Sequence, residues 1–307
     1  MDFLIFVISI AILITGADMV IRSANALALK LNISYFLVGA FLVAIGTSFP
    51  EMGVAMQANA QGKSDMAIAT LIGSSILNLT LIFGSIFILS KSTIIQQGCF
   101  SKDALWLLSA LTLFVLIIFD QEIGYFDAFL LIALIVVYIL FLFEDAQNNR
   151  VEFFQEILDN TLTLPYAIAL LLGGMVLLVV GAIFTVDSAT DIATQFKLNE
   201  WQSGIIMIAF ATALPELILT ILAVYKNKIE IAIANILGST ISNLTLVLAL
   251  VAFIEPISID FRVHLFDLGV MLLAAVLVMG IIITQSYNRY ITLPLFLILA
   301  LFIEAQF

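Results

Sequence analysis

The sequence has little charge and almost no thiol or imidazole groups. Of its 307 residues, 11% are charged, one is a cysteine and one is a histidine. Because a soluble domain usually carries about 25% charged residues, an ordinary soluble globular protein is excluded. The single Cys99 excludes an intrachain disulfide. We interpret the single His264 as a loop histidine rather than a metal ligand.

Basic residues are also scarce. Eleven lysines and arginines stand against 22 aspartates and glutamates, which gives a net charge of −11. Since binding to nucleic acid requires a basic face, this balance argues against a nucleic-acid partner. Apart from Glu51 and Glu216, which lie in apolar runs, the sequence has no acid dyad and no nucleophile–base pair, so we do not expect an enzyme. We also expect no cofactor and no obligate protein partner.

Apolar residues dominate the chain, at 63% of the sequence with a mean hydropathy of +1.22. This content predicts an all-α polytopic membrane protein, because about 20 apolar residues suffice for one transmembrane helix. The apolar run that begins at Phe3 is too long for a cleavable signal and is interpreted as the first span. Ten transmembrane helices are predicted, at 3–28, 35–60, 66–90, 104–119, 125–143, 163–186, 201–225, 230–254, 265–285 and 290–304.

The two halves of the chain repeat at a constant offset of 165 residues. Thr47, Pro50 and Glu51 recur in this way as Thr212, Pro215 and Glu216. Because five helices is an odd number, the second half must enter the membrane from the opposite side, as in inverted-topology transporters. The predicted division is a first repeat at 1–143, a cytoplasmic linker at 144–162 and a second, inverted repeat at 163–307.

Basic residues distinguish the two predicted faces. Three of the eleven lie in connections on one face and eight on the other. Since basic loops remain cytoplasmic, we expect both termini outside the cytoplasm. The expected location is the plasma or inner membrane, with the lipid bilayer as surrounding solvent.

Each repeated hexapeptide places a proline and a glutamate within a long apolar run. A carboxylate there costs about 2.5–3.5 kcal/mol on insertion scales. The proline cannot donate its backbone hydrogen bond, which should loosen nearby carbonyls such as those of Ala44 and Ala209. Free carbonyls at membrane depth are tolerated only where protein or a cavity satisfies them. We therefore interpret the doubled break as part of an ion-binding site.

Hydroxyl and amide side chains accompany these glutamates at helical spacing. Thr47 and Ser48 precede Glu51 by four and three residues and should share its helix face. The same spacing joins Ser74 to Asn78 and Ser239 to Asn243. An all-oxygen site suits Ca²⁺ or Na⁺. Two facing carboxylates also require a counter-charge, which a divalent cation, two monovalent cations or protons can supply.

The doubled segments resemble the α-repeats of the sodium/calcium exchanger family, within the cation/calcium exchanger superfamily, over nearly the whole chain. The resemblance implies that Glu51 and Glu216 are the main Ca²⁺ ligands, with Thr47 and Thr212 at the same centre. It also implies a second group of site residues. These are Ser48, Ser74, Ser239 and the carbonyls of Ala44 and Ala209 at flanking Na⁺ sites, and Asn78 and Asn243 at central polar positions.

The second copy departs from the family pattern. Ala211 and Ala213 stand where the family usually repeats glycine and serine, so one hydroxyl ligand is missing and a Na⁺ site is weakened. Asn243 stands where some relatives carry an aspartate, which leaves the two glutamates as the only site charges.

The predicted function is an antiporter that exchanges Ca²⁺ for Na⁺ by alternating access. The alternative is an antiporter of the same fold with different coupling, either driven by H⁺ or specific for another divalent cation. The acidic residue that marks the proton-coupled branch is absent from the third and eighth spans, which places this alternative second. A passive channel is disfavoured, because a pore does not need a site with two carboxylates that must be kept occupied by cations.

Overall fold

The computed structural model describes residues 2–90, 101–148, 162–195, 210–259, 261–285 and 287–305, and nearly all of them are helical. The helices of the first half are α1 (Asp2–Leu31), α2 (Tyr35–Ala60), α3 (Ser64–Leu89), α4 (Ser101–Ile118) and α5 (Tyr125–Asn148). Those of the second half are α6 (Leu164–Gln195), α7 (Leu214–Tyr225), α8 (Ile229–Ile254), α9 (Phe261–Thr284) and α10 (Thr292–Ala305).

The helices follow the predicted spans but extend beyond several of their ends. Helix α1 ends at Leu31 rather than 28, and α6 reaches Gln195 rather than 186. Helix α5 runs to Asn148, five residues into the predicted linker, where Asp145 pairs with Lys102 of α4. Polar residues at these ends continue the helical hydrogen bonding, so the end of an apolar run underestimates helix length. Residues 149–161 of the predicted linker and 201–209 of the seventh span lie outside the described residues.

Seven of the described helices are long and apolar enough to cross a bilayer. They cover Phe3–Leu31, Tyr35–Ala60, Ser64–Leu89, Tyr125–Ala146, Leu164–Thr185, Ile229–Ile254 and Arg262–Thr284. The spans at Ser64–Leu89 and Ile229–Ile254 are each 83% buried inside the protein. Helices α3 and α8 are therefore central, and the other spans pack around them.

The described residues are nearly all helical, as predicted, apart from one short antiparallel pair of β1 (Glu122–Ile123) and β2 (Ile257–Ser258). One sequence-based expectation needs correction. The prediction of a loop histidine was wrong, since His264 lies in the first turn of α9 and is only 3% exposed. Helix α9 begins before the apolar run at 265. The Nε2 atom of His264 lies 3.3 Å from Asp65 Oδ1.

Backbone irregularities recur at equivalent positions in the two halves. The helical path is interrupted at Ser48, with ψ of 1°, and at Ala213, with ψ of −3°. In both halves a proline follows two residues later and occupies the first turn of the next helical segment, where its missing N–H costs least. Turns of π-helix begin at the equivalent residues Asn78 and Asn243, and π turns often mark functional sites.

Glycines bring the helix backbones close together at two crossings. A Cβ on Gly16 of α1 would lie 2.9 Å from the carbonyl oxygen of Gly174 in α6. A Cβ on Gly238 of α8 would overlap the carbonyl oxygen of Ala40 and lie 2.8 Å from the Cβ of Ala44 in α2. The second crossing holds the interrupted part of α2 directly against α8.

We expect the substitution Gly238→Ala to destabilise the protein by about 1–3 kcal/mol, because the new methyl group overlaps backbone that cannot move aside cheaply. Gly53→Ala is the matched control, since a Cβ at Gly53 meets nothing within 4 Å. Thermal unfolding of the purified chain in detergent measures both. Equal melting temperatures for the two variants would contradict the close contact between α2 and α8.

Candidate functional site

The site is organised around two buried glutamates, each placed by a helix interruption. Glu51 lies in the first turn after Ser48, and Glu216 lies in the first turn of α7. Both side chains are 0% exposed, and they are close enough to interact electrostatically. The N-terminal end of a helical segment carries partial positive charge from free N–H groups. Each interruption therefore gives its glutamate a favourable local dipole inside an otherwise apolar bundle.

Ser74 connects the first glutamate to the second half of the chain. Its hydroxyl donates to Glu51 Oε1 at 2.9 Å and accepts from Asn243 Nδ2 at 3.4 Å. The other oxygen of Glu51, Oε2, has no hydrogen-bond partner among the described residues. Helices α2, α3 and α8 thus meet at this carboxylate, with one oxygen available for a ligand.

Thr47 and Ser239 lie beside the second glutamate, Glu216. Their hydroxyl oxygens are 3.1 Å apart, but neither oxygen of Glu216 has a hydrogen-bond partner within the described part of the chain. Thr47 also contacts Asn235 of α8, so its hydroxyl lies between α2 and α8. The threonine of the first half therefore serves the carboxylate of the second half.

The carbonyl of Ala44 is a shared acceptor rather than a free group. It accepts from the backbone N–H of Ser48 at 3.1 Å, from the hydroxyl of Thr47 at 3.2 Å and from the hydroxyl of Ser239 at 3.3 Å. This oxygen therefore draws two site hydroxyls together beside α2.

Several fully buried polar atoms at the site have no partner among the described residues. They are Ser48 Oγ, Glu51 Oε2, both carboxylate oxygens of Glu216, both amide atoms of Asn78 and Asn243 Oδ1. An unpaired buried polar group costs about 1–3 kcal/mol, so such a cluster is a poor way to stabilise a fold. Most of these atoms are oxygens, which are the atoms that a hard cation binds.

The structure brings most of the predicted site residues together. Side-chain contacts connect Glu51, Ser74 and Asn243 as one group, and Ala44, Thr47, Ser239 and Glu216 as another. The other described residues of the predicted set are also buried, and they lie within four residues of these groups in the sequence: Ser48, Asn78 and Thr212. Ala209 lies outside the described residues.

Two polar residues of the second half were not included in the predicted site. Asn235 Oδ1 lies 3.2 Å from Thr47 Oγ1, and the Asn235 side chain is fully buried. Thr220 is also fully buried, and its hydroxyl has no partner among the described residues. Spacing could have indicated both, because Thr220 follows Glu216 by four residues and Asn235 precedes Ser239 by four.

Comparison with known proteins agrees with this geometry. A family model described as "Sodium/calcium exchanger protein" matches residues 1–144 and 166–307. The chain is 28% identical to "Inner membrane protein YrbG" of Escherichia coli, over 89% of this chain and 86% of that protein. It is 26% identical to "Sodium/calcium exchanger MaX1" of Methanosarcina acetivorans, over 94% of this chain and 92% of that protein.

The fold is also similar to solved structures of the sodium-calcium exchanger NCX_Mj. One of these structures, soaked with 2.5 mM Na⁺ and 1 mM Sr²⁺, superposes with a TM-score of 0.82 at 26% identity. The match covers 99% of this chain and 97% of that one.

Ser74→Ala removes the hydroxyl that donates to Glu51. We expect about tenfold weaker binding of Ca²⁺, since a hydrogen bond to a charged group contributes about 1.5–3 kcal/mol. Ser75→Ala is the matched control, because the Ser75 hydroxyl donates to the backbone carbonyl of Leu71. Calorimetric titration of both purified variants with Ca²⁺ provides the measurement. Similar affinities for the two variants would argue against Ser74 as part of the site.

Proposed function

This chain belongs to the sodium/calcium exchanger protein family, and we propose that it exchanges Ca²⁺ for Na⁺ across a membrane as a secondary active antiporter. The observation that carries this proposal is the pair of glutamates. Glu51 and Glu216 are both fully buried, and three of their four carboxylate oxygens have no partner among the described residues. Two buried carboxylates without a counter-charge are costly. A site of this kind favours occupancy by one ion set or the other, as exchange requires.

Calcium fits the oxygen donors of the central site. Ca²⁺ takes six to eight oxygen ligands in flexible geometry, and its two positive charges match the two carboxylates. We propose Glu51 and Glu216 as the main ligands, with Thr47 and Thr212 at the same centre. The flanking Na⁺ sites would use Ser48, Ser74, Ser239 and carbonyls such as those of Ala44 and Ala209, with Asn78 and Asn243 between them.

We further propose ten transmembrane helices in two inverted five-helix repeats. Support comes from corresponding turns of the two halves that lie at opposite ends of α2. The α2–α3 turn directly follows the end of α2 at Ala60. Lys228, in the α7–α8 turn, donates to the hydroxyl of Tyr35 at the start of α2, at 3.2 Å. Alternating access would then expose the shared site to one face at a time.

The proposed orientation places both termini outside the cytoplasm. The contact of Lys102 with Asp145 supports the grouping of the connections. Both residues lie at helix ends on the face with eight basic residues, which is the inner face by the positive-inside rule. The similarity to an inner membrane protein supports the same cellular membrane.

Coupling to H⁺ is the second candidate. Ala213 replaces the hydroxyl that the resemblance predicts at a Na⁺ site, and neither oxygen of Glu216 has a hydrogen-bond partner among the described residues. A proton could neutralise such a carboxylate in place of Na⁺. The hydroxyl groups of Ser48 and Ser74 on the other flank favour Na⁺.

Replacing Glu51 or Glu216 by glutamine should abolish Ca²⁺ transport, because one negative charge cannot compensate a divalent cation in a buried site. Glu304→Gln is the matched control, since Glu304 is exposed in α10. Uptake of Ca²⁺ into proteoliposomes measures the effect, with a decrease of more than about tenfold expected from loss of one charge-assisted ligand. Normal uptake by both site variants would remove these glutamates from the mechanism.

Replacing the driving ion tests the coupling. An outward Na⁺ gradient should drive Ca²⁺ uptake into proteoliposomes, whereas an outward H⁺ gradient without Na⁺ should not. Vesicles with equal Na⁺ on both sides serve as the control. Uptake that follows the pH jump and ignores Na⁺ would establish the proton-coupled alternative instead.

A further inference from the structure

Buried hydroxyl groups in α3 and α8 mostly bond to their own helix. Five of them donate to a carbonyl four residues earlier: Thr70 to Met66, Ser75 to Leu71, Thr80 to Ile76, Thr240 to Ile236 and Thr245 to Ile241. Thr220 in α7 differs from these five, as does Ser242 in α8. The hydroxyl of Thr220 is fully buried and has no hydrogen-bond partner among the described residues, although a carbonyl one turn earlier is the usual acceptor for a helical threonine.

Thr220 and Asn235 each lie one helical turn from a residue of the central site, on two neighbouring helices. Helices α7 and α8 form an antiparallel hairpin, and the Ser239 hydroxyl of α8 lies beside Glu216 of α7. Four residues onward along α7 is Thr220, and four residues back along α8 is Asn235. Because residues four apart lie on the same helix face, these two side chains form the next layer of the hairpin. This layer lies toward the α7–α8 turn, on the proposed cytoplasmic side.

The amide of Asn235 has a spare polar atom as well. Thr47 Oγ1 lies 3.2 Å from Asn235 Oδ1 and 3.2 Å from the carbonyl oxygen of Ala44, but a threonine hydroxyl has one proton to donate. A half-turn of the amide lets Asn235 Nδ2 donate to Thr47 while Thr47 donates to Ala44. The amide oxygen then occupies the position of the unpartnered Nδ2 atom, so it becomes available together with the hydroxyl of Thr220.

The first half has no such layer. Glu51 and Ser74 are the counterparts of Glu216 and Ser239, and the same step along their helices gives Ala55 and Thr70. Ala55 has no polar side-chain atom, and the hydroxyl of Thr70 donates to the backbone carbonyl of Met66 at 2.8 Å. The extra oxygen pair is therefore a property of the second half alone.

We propose that Thr220 and Asn235 form an additional cation site, which we call the inner oxygen pair, and that it binds Na⁺ between the central site and the cytoplasmic face. This proposal rests on the proposed function. Both oxygens are neutral, so the pair suits a monovalent ion that keeps part of its hydration rather than Ca²⁺, which requires carboxylates for tight binding. Glu216, one turn away, attracts the cation without contacting it.

The test uses Thr220→Val, which keeps the shape of the side chain and removes the hydroxyl. The assay measures displacement of bound ⁴⁵Ca²⁺ from the purified full chain by increasing Na⁺, together with Ca²⁺ affinity in the absence of Na⁺. We expect the Na⁺ concentration for half-displacement to rise about fivefold, which is the net effect of one neutral hydrogen-bonding group. Ca²⁺ affinity should remain unchanged, and Thr220→Ser should restore the wild-type Na⁺ response.

Thr70→Val is the matched control, because it removes a buried hydroxyl from the symmetry-related position of Asn235 without touching the inner oxygen pair. An unchanged Na⁺ response in Thr220→Val together with a higher melting temperature would overturn the proposal. It would show that the Thr220 hydroxyl is an unpaired buried group that destabilises the fold and binds no cation. Equal losses of Na⁺ and Ca²⁺ binding would also overturn it, because a general structural defect acts on both ions.

The outcome for the wild type separates this proposal from the proposed function. If Na⁺ displaces Ca²⁺ from the wild-type chain but Thr220→Val responds identically, only the inner oxygen pair is refuted. If Na⁺ does not displace Ca²⁺ from the wild type at all, Na⁺ coupling fails and the inner oxygen pair is refuted with it.

Discussion

The structure depends on two negative charges held in an apolar bundle. Glu51 and Glu216 are fully shielded from solvent, and the protein supplies only part of the hydrogen bonding that their carboxylates require. Ser74 donates to one oxygen of Glu51, while the described residues leave the oxygens of Glu216 without a hydrogen bond. Burying charge without a partner is strongly unfavourable. The surrounding helices must therefore be held together by other contacts while this centre stays ready for cations.

Close backbone packing provides those contacts. Gly238 allows α8 to touch α2 at Ala40 and Ala44, next to the interruption that carries Glu51. The same crossing places Thr47 and Ser239 within 3.1 Å of each other. Packing of small residues at this crossing thus contributes to stability without a polar partner. The polar groups of the site are left available for ligands.

Much of this arrangement could be predicted from the sequence. The offset of 165 residues identified the two glutamates as a pair, and the structure places the Ser74 hydroxyl against Glu51. Contacts between the two halves could not be predicted in this way, because helical spacing relates only residues of one helix. The contacts of Thr47 with Asn235 and Ser239 of α8 are of this kind. His264 was misjudged because α9 already begins at Phe261, before the uninterrupted apolar run that follows Arg262 and His264.

The two halves share their carboxylates but differ in their other polar groups. Ser48 corresponds to Ala213, which removes a hydroxyl from the second half. Thr220 corresponds to Ala55, which adds one at a different depth. A site built from a duplicated element is therefore not symmetric in its neutral ligands. This asymmetry affects a weakly held monovalent ion more than a divalent ion bound mainly by the glutamates.

The π turns at Asn78–Ile82 and Asn243–Val247 have a geometric consequence for both central helices. A π turn contains one residue more than an α turn, so it advances the helical phase by about 100°. The segment before the turn and the segment after it therefore point their side chains in independently set directions. Deleting one residue within either turn would rotate half of a helix that is 83% buried. A length change that a surface loop absorbs easily would here misalign an entire layer of the molecule.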